Sequence, residues 1–417
     1  MKHFFCRVAL CLAFSGYVIA AQAPDTLTLA IDATTPGAKI DRNIFGQFAE
    51  HLGHGVYEGV WVGPKSTIPN TRGIRNDVVA ALRALRVPNV RWPGGCFADE
   101  YHWRNGIGPR RRVTLNPNWG GVTESNEFGT HEFMDFVSQI GAAPYLSLNL
   151  GSGTPQEAAE WMEYVTAAQP TTLALERAAN GHPEPWSVPI LGIGNESWDC
   201  GGNMTADYYV SQLKIYSRFA RNFNPKQQDA NHMLRIAVGP GGGEPRFIEW
   251  TETVMKAWQD RKWSWDIEGL SLHNYTVINW DNKHAATGFG LKEYAEILQK
   301  TLQMDDLIVK HTAIMDRYDP QKKLLLAVDE WGAWYSPLAG SNPGFLVQQN
   351  SLRDAVLAAL NLNIFSRHAD RVRIANIAQM INVLQAMILT DGAKMLKTPT
   401  MDEVEKAIQE KPYPAAA

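Results

Sequence analysis

Two glutamates stand at the ends of short apolar runs. Glu196 closes the run of residues 190–196 (ILGIGNE), and Glu330 closes the run of residues 324–330 (LLLAVDE). Apolar runs of this length, bounded by glycine and polar residues, are typical of buried parallel strands. Two carboxylates that converge at the carboxyl-terminal mouth of a barrel have the chemistry to cleave a glycosidic bond. The pair therefore favours hydrolysis of a sugar linkage.

The residues beside each glutamate sharpen this hypothesis. Asp329 precedes Glu330, and side chains alternate faces along a strand, so we expect only one of the two to point into the mouth. Glu330 is the longer, and Trp331 and Trp334, which follow it, have rings that could flank a sugar. Asn195, directly before the other glutamate, has an amide suited to binding a sugar 2-hydroxyl.

Polar residues also stand at the ends of other apolar runs. They are Glu50 and His51, Arg91, Asn149, His273 and Tyr275, and Gln379 and Asn382. A single histidine at a strand end is more often structural, but polar groups at five further ends of the same kind favour a functional site. We expect Arg91 to hold Glu330 ionised and Tyr275 to orient it.

Eight apolar runs recur along the chain. They are residues 44–50, 89–92, 144–149, 190–193, 235–238, 267–273, 323–328 and 373–377. The segments between them, such as residues 78–85, 133–140, 208–223 and 352–364, have helical periodicity. Strands that alternate with helices predict an α/β fold with a parallel sheet, and eight repeats predict a (β/α)8 TIM barrel over residues 41–397.

The two ends of the chain do not fit the barrel. Lys2 and Arg7 precede an apolar stretch at residues 8–20 and a small-residue segment at 21–23, which predicts a signal peptide over residues 1–23 and a secreted or periplasmic protein. Residues 24–40 contain an alternating segment at 26–31 that predicts an N-terminal strand outside the barrel. Residues 398–417 predict a short helix followed by a frayed tail.

Composition limits the possible partners and cofactors. The formal net charge of −4 is too small to favour nucleic acid or an anionic membrane as a partner. The sequence contains no CxxC or HExxH motif, so we predict neither a metal site nor a cofactor. Cys96 and Cys200 each follow a predicted barrel strand, and whether they form a disulfide or stay free thiols is left open.

Five segments, in this order, resemble glycoside hydrolase family 51. They are residues 47–53 (QFAEHLG), 91–96 (RWPGGC), 101–108 (YHWRNGIG), 194–198 (GNESW) and 329–334 (DEWGAW). The resemblance extends from about residue 28 to about residue 400. The β-sandwich that follows the barrel in this family has no counterpart in the last residues of the sequence.

The resemblance implies a retaining, exo-acting α-L-arabinofuranosidase with a clan A barrel. Glu196 would be the general acid/base and Glu330 the nucleophile, and no metal or organic cofactor is needed. The residues expected to bind the arabinofuranose are Glu50, Arg91, Cys96, Asn195, Tyr275, Trp334 and Gln379, to which we add His273 from its position at a strand end. The expected partner is a plant polysaccharide or an arabino-oligosaccharide, and a homo-oligomer is possible. Another retaining barrel glycosidase, such as a xylosidase or endoglucanase, and a catalytically silent carbohydrate-binding barrel remain alternatives.

Overall fold

The central element is a closed barrel of eight parallel strands, seen in a computed structural model that describes residues 34–410. The barrel strands are β1 (Gly46–Phe48), β2 (Asn89–Trp92), β3 (Ala143–Ser147), β4 (Ile190–Ile193), β5 (Leu234–Ala237), β6 (Gly269–Thr276), β7 (Leu325–Ala333) and β8 (Val372–Ile377). Each strand pairs with its neighbours in chain order, and β8 pairs with β1 to close the barrel. The predicted (β/α)8 barrel is confirmed, and each of the eight predicted runs overlaps a barrel strand.

The barrel strands are apolar because both of their faces are buried. One set of side chains forms a separate cluster between the strands, made of Tyr145, Ile190, Ile236, Leu325, Ala327 and Ile374. The alternate residues, such as Leu146, Leu191 and Leu326, pack in the large core formed with the surrounding helices. Side chains of successive strand residues point to opposite faces. A strand with helices on one face and the barrel interior on the other therefore reads as a continuous apolar run.

Ten α-helices lie within the described residues. They are α1 (Asn76–Leu85), α2 (Thr130–Ile140), α3 (Pro155–Thr166), α4 (Thr172–Ala179), α5 (Ala206–Phe219), α6 (Pro245–Gln259), α7 (Leu291–Thr301), α8 (Gln303–Tyr318), α9 (Leu352–Arg367) and α10 (Pro399–Glu410). Threonines cap three of them: Thr154, Thr171 and Thr205 each accept a hydrogen bond from the backbone N–H three residues later. Such a cap satisfies one of the free donors of the first helical turn and fixes where the helix begins.

A β-bulge in β7 changes the direction in which the side chains of Asp329 and Glu330 point. Ser271 of β6 pairs with Ala327 of β7, but His273 pairs with Glu330, so β7 has one residue more than its partner over this interval. An extra residue breaks the strict alternation of faces. Both side chains therefore lie inside the barrel, where Asp329 contacts Arg91 and His273. Of the two, Glu330 reaches the mouth, as expected, and Asp329 lies beneath it.

The end of the described chain packs on the barrel. A hairpin of Ile388–Asp391 and Lys394–Lys397 precedes α10, and Met401 and Val404 of α10 belong to the large core. The predicted helix after residue 398 is thus confirmed. The predicted signal peptide, the predicted strand at residues 26–31 and the end of the predicted tail lie outside the described residues. Within residues 34–410, the helices are all too short or too polar to cross a membrane.

Candidate active site

A cavity of about 950 Å³ opens at the carboxyl-terminal ends of the barrel strands. Eight of the ten predicted site residues line it: Glu50, Cys96, Glu196, His273, Tyr275, Glu330, Trp334 and Gln379. Arg91 and Asn195 do not line it. They lie directly behind it, each about 1% exposed, and the guanidinium of Arg91 donates to the amide oxygen of Asn195.

Glu330 is held by donors on two other strands, β2 and β6. Its Oε2 lies 2.9 Å from the guanidinium of Arg91 and 3.4 Å from Nδ1 of His273. Its Oε1 accepts a hydrogen bond of 2.8 Å from the hydroxyl of Tyr275. Charge-assisted hydrogen bonds of this kind fix the direction of the carboxyl group. Arg91 and Tyr275 thus have the contacts with Glu330 that were expected of them.

Glu196 lies in the turn that follows β4. Its φ of 37° and the φ of 97° at Gly194 show that the chain reverses sharply here, which lifts the carboxylate to the cavity. Glu196 Oε1 lies 2.9 Å from His273 Nδ1. Burial is the largest effect on this carboxyl and raises its pKa, and the nearby charge of Glu330 raises it further against the opposing effects of His273 and Arg91. Glu196 is therefore the carboxyl of the pair that is favoured to carry a proton.

The two carboxylates are close together. One carboxylate oxygen of Glu196, one of Glu330 and a ring nitrogen of His273 all lie within 4.8 Å of one another. Retaining glycosidases have carboxyl groups about 5 Å apart, whereas inverting enzymes need about 6.5 Å or more to admit a water molecule. The spacing therefore matches the retaining geometry.

A buried polar layer lies beneath the two glutamates. Asp329 lies 3.2 Å from Nε2 of His273 and 3.7 Å from the guanidinium of Arg91, and it accepts a hydrogen bond of 2.5 Å from the hydroxyl of Tyr145. Burial alone would lower the pKa of His273, but Glu330, Asp329 and Glu196 together raise it to about 10. Asp329 and Tyr145 were not predicted as site residues. One feature of the sequence could have identified Tyr145: it lies in a buried strand, where its hydroxyl needs a polar partner.

Glu50 is the centre of a second cluster at the closed end of the cavity. Its Oε1 accepts from the backbone N–H of Phe97 (3.0 Å) and from Nε1 of Trp119 (2.8 Å), and its Oε2 accepts from Nε2 of Gln379 (2.8 Å). Burial and the charge of Glu330 raise the pKa of Glu50 to about 7. Trp119 was missed from the sequence, since it lies in the turn of a hairpin (Thr114–Asn116 and Val122–Glu124) that is far from the ends of the predicted barrel strands.

Cys96 and Cys200 form a disulfide, with Cα atoms 5.5 Å apart. The pair links the loop after β2 to the loop after β4, and Cys200 Sγ lies 3.6 Å from Glu196 Oε2. The question left open by the sequence is thus answered in favour of the disulfide. Because both sulfur atoms are bonded, neither has a proton to donate to the glutamate.

Three other polar residues at strand ends have structural roles. His51 lies between Glu124 and the indole of Trp92, at 3.0 Å from each. Asn149 and Asn382 bind backbone carbonyls and hydroxyl groups of neighbouring loops. None of the three lines the cavity.

The tryptophans after Glu330 lie in different places. Trp331 is 2% exposed and packs against Phe365 in the core, so it does not flank a sugar. Trp334 lines the cavity and contacts Tyr275 edge to face, with ring centroids 4.9 Å apart.

Two family models match the sequence. The alpha-L-arabinofuranosidase 1 domain matches residues 81–240, and the alpha-L-arabinofuranosidase C-terminal domain matches residues 329–402. A crystal structure of a GH51 arabinofuranosidase from Xanthomonas axonopodis pv. citri is similar with a TM-score of 0.85 and 54% identity, over 89% of this chain and 74% of that one.

Two curated relatives extend the comparison. The intracellular exo-alpha-L-arabinofuranosidase of Bacteroides ovatus is 44% identical over 94% of this chain and 75% of its own length. The intracellular exo-alpha-(1->5)-L-arabinofuranosidase of Halalkalibacterium halodurans is 28% identical over 89% of this chain and 73% of its own length. The chain thus spans about three quarters of the relatives that it matches.

The relatives correct one prediction. The chain was expected to be secreted or periplasmic, on the strength of residues 1–23. Both curated relatives are named intracellular enzymes, so this expectation is wrong by comparison. The charged start and apolar stretch that suggested it lie outside the described residues.

Proposed function

The chain belongs to glycoside hydrolase family 51, and we propose that it removes terminal non-reducing α-L-arabinofuranosyl groups from arabinan, arabinoxylan or their oligosaccharides. The observation that carries this proposal is the pair Glu196 and Glu330, with carboxylate oxygens within 4.8 Å and unlike surroundings. One carboxyl is buried against a negative neighbour, and the other is held by an arginine and a tyrosine.

The proposed reaction is a double displacement with retention. The carboxylate of Glu330 attacks the anomeric carbon while Glu196 donates its proton to the departing glycosidic oxygen. The carbon–oxygen bond to the leaving group breaks as an ester bond to Glu330 forms. In the second step Glu196 takes a proton from water, the water oxygen attacks the same carbon, and Glu330 is released as a carboxylate.

We propose that the sugar lies between the two glutamates and the Glu50 cluster. Glu50, Gln379 and Trp119 close that end of the cavity with carboxylate, amide and indole groups, which suits a ring carrying several hydroxyls. Arg91 and Asn195 lie behind the surface, so their proposed role is to hold Glu330 and the turn at Glu196 in place.

The relative from Halalkalibacterium halodurans is named for α-(1->5) linkages. We propose (1→5)-linked arabino-oligosaccharides as the first natural substrates to test. A pocket closed at one end accepts a chain terminus rather than a mid-chain unit, which supports exo-action.

Hydrolysis of 4-nitrophenyl α-L-arabinofuranoside tests the proposal, with Glu330→Gln as the matched inactive control. We expect turnover that the substitution abolishes, and proton NMR should detect the α-anomer of arabinose first. Release of the β-anomer first would contradict retention. Faster turnover of 4-nitrophenyl β-D-xyloside would instead favour a xylosidase, and sugar binding without turnover would favour a silent barrel.

A further inference from the structure

The proposed sugar site fills only one end of the cavity. Beyond Glu196 the cavity continues past Trp198 and the glycines at 241–243 to Trp280 and to the α7–α8 residues Lys300 and Gln303. Its volume of about 950 Å³ is at the upper end of pockets that hold drug-sized ligands, and a single pentose is far smaller than such a ligand. The outer part can therefore hold a group that is attached to the sugar.

A row of three aromatic rings leads from the proposed nucleophile into this outer part. Tyr275 donates to Glu330, its ring contacts Trp334, and the ring of Trp334 contacts Trp280 at a centroid distance of 5.7 Å. Tyr275 and Trp334 are half-buried, whereas Trp280 is 57% exposed. An exposed indole at the edge of a cavity is costly to leave in water and suits a ligand with an apolar face.

The loop that carries Trp280 is held in place by its own contacts. Asn279 accepts hydrogen bonds from the backbone of Asp281 and Asn282, and the ammonium of Lys283 donates to the carbonyl of Trp280 at 3.2 Å. The same ammonium lies 5.5 Å from the ring of Trp280. The backbone that carries the indole is therefore held by contacts within the loop.

The opposite wall is equally fixed. Nε1 of Trp198 donates to the carbonyl of Gly239 at 2.9 Å, and its ring contacts Phe247 at 4.8 Å. A Cβ at Gly241 would lie 2.4 Å from the ring of Trp198, so only glycine allows this packing. Trp198 follows Glu196 by two residues, which places this wall beside the proposed proton donor.

The charges of the outer part are balanced. The cations are Arg246, Lys300 and Lys310, and the anions are Asp199, Glu244 and Asp306. This balance favours neither an acidic nor a basic ligand, so the wall chemistry fits a neutral saccharide, whose C–H faces pack on indoles.

We propose that the outer part of the cavity is the leaving-group site and binds more than one unit of a neutral glycan chain, with Trp280 as its stacking platform. This inference rests on the proposed function. The proton donor must contact the departing oxygen, and the other end of the sugar site is closed by the Glu50 cluster. The chain attached to that oxygen therefore extends along Trp198 and Trp280.

Two substrates distinguish a role of Trp280 in binding the leaving group from an effect on catalysis in general. Methyl α-L-arabinofuranoside has no ring in its leaving group, whereas (1→5)-linked arabinotriose extends into the outer part. We expect Trp280→Ala to lower kcat/KM for arabinotriose about tenfold, chiefly through KM, and to leave methyl arabinofuranoside within about twofold. Trp280→Phe should restore part of the loss. Equal losses on both substrates, or no loss on arabinotriose, would overturn the inference.

Trp263→Ala is the matched control. Trp263 is also exposed, at 88%, but it does not line the cavity, so its removal should change neither substrate. Calorimetric titration of Glu330→Gln with arabinotriose gives a measurement that needs no turnover. There, Trp280→Ala should weaken binding of the trisaccharide about tenfold but not that of arabinose. If wild type hydrolyses neither substrate the proposed function fails, while this titration still decides whether Trp280 binds the glycan.

Discussion

Asp329 and His273 form a buried carboxylate–imidazole pair, 3.2 Å apart, beneath the two glutamates. The other ring nitrogen of His273 lies 2.9 Å from Glu196 and 3.4 Å from Glu330. The imidazole thus contacts three carboxylates, which explains why its pKa is raised to about 10 although burial would lower it. Arg91 contacts two of the same carboxylates, at 3.7 Å from Asp329 and 2.9 Å from Glu330. The imidazolium of His273 places a positive charge between the two glutamates, and Asp329 holds it there.

Asp329→Asn should disturb this charge without touching the cavity wall. Asp329 raises the pKa of His273, so its removal lets the imidazole lose its proton at lower pH. We expect kcat/KM to fall about 100-fold and its alkaline limb to move down by about one pH unit. Measurement of kcat/KM against pH checks both, and an unchanged alkaline limb would show that the carboxylate has only a packing role.

The chain offers a matched control for this substitution. Asp354 is also buried, also accepts a hydrogen bond from a tyrosine hydroxyl (Tyr335, 2.7 Å) and also lies beside an arginine (Arg353, 3.5 Å). Its further partner is Ser351, whereas that of Asp329 is the imidazole of His273. Asp354→Asn should cost stability to a similar degree while leaving the pH profile in place. A shift in both variants would point to general destabilisation.

Glu196→Ala should separate substrates by leaving group. A poor leaving group needs the proton, whereas a dinitrophenolate departs without one, so we expect a loss of about 1000-fold on arabinobiose and a far smaller loss on an aryl arabinofuranoside. Sodium azide should partly restore turnover by attacking the glycosyl-enzyme, and the product should be the α-configured arabinosyl azide. Equal losses on both substrates, without rescue, would remove the acid/base role from Glu196.

The barrel could be predicted because its strands are buried on both faces. Residues 190–193, for example, do not alternate between apolar and polar side chains, and such continuous apolar runs can be recognised in a sequence as buried strands. The proposed catalytic pair could be located for the same reason, since each glutamate directly follows or ends such a run. The bulge in β7 could not be predicted, because register depends on the partner strand, and it is the bulge that turns Asp329 inward.

Contacts between loops that are distant in the chain also could not be predicted from the sequence. Trp119 lies on a loop without periodicity, and only the fold brings its indole to Glu50. The pairing of Cys96 with Cys200 depends on a Cα separation of 5.5 Å, which the sequence left open. Both interactions join loops at the barrel mouth, where sequence periodicity carries no information.

Asp99 should make the stability of the protein depend on pH. Its Oδ1 accepts from the backbone N–H groups of Leu150 (2.9 Å) and Gly151 (2.8 Å), while Oδ2 is buried without a hydrogen-bond partner among the described residues. Burial raises the pKa of Asp99 from its ordinary value to about 7. The folded state therefore binds this proton more tightly than the unfolded state, and stability is lost as pH rises from about 4 to about 7.

Asp99→Asn removes this titration. Between pH 4.5 and 7.5, we expect the free energy of unfolding of wild type to decrease by about 3 kcal/mol more than that of the variant. Urea unfolding at the two pH values measures the difference, and the exposed Asp281→Asn serves as control. Glu50, whose pKa is also raised to about 7, should leave a residual decrease in the variant. The same decrease in wild type and Asp99→Asn would mean that Asp99 is already ionised in the fold.

The disulfide between Cys96 and Cys200 should stabilise the fold chiefly by restricting the unfolded chain. The two cysteines are 104 residues apart, so the bond closes a long loop. For a loop of this length, loss of the bond should lower the free energy of unfolding by about 4 to 5 kcal/mol. Urea unfolding with and without dithiothreitol measures the effect, and stability is the better readout because Cys96 lines the cavity and its loss also changes the site. Cys200→Ala should reproduce the effect of reduction and should itself be insensitive to dithiothreitol. A wild-type midpoint that dithiothreitol leaves unchanged, under conditions in which free thiols are detected, would show that the bond does not contribute to stability.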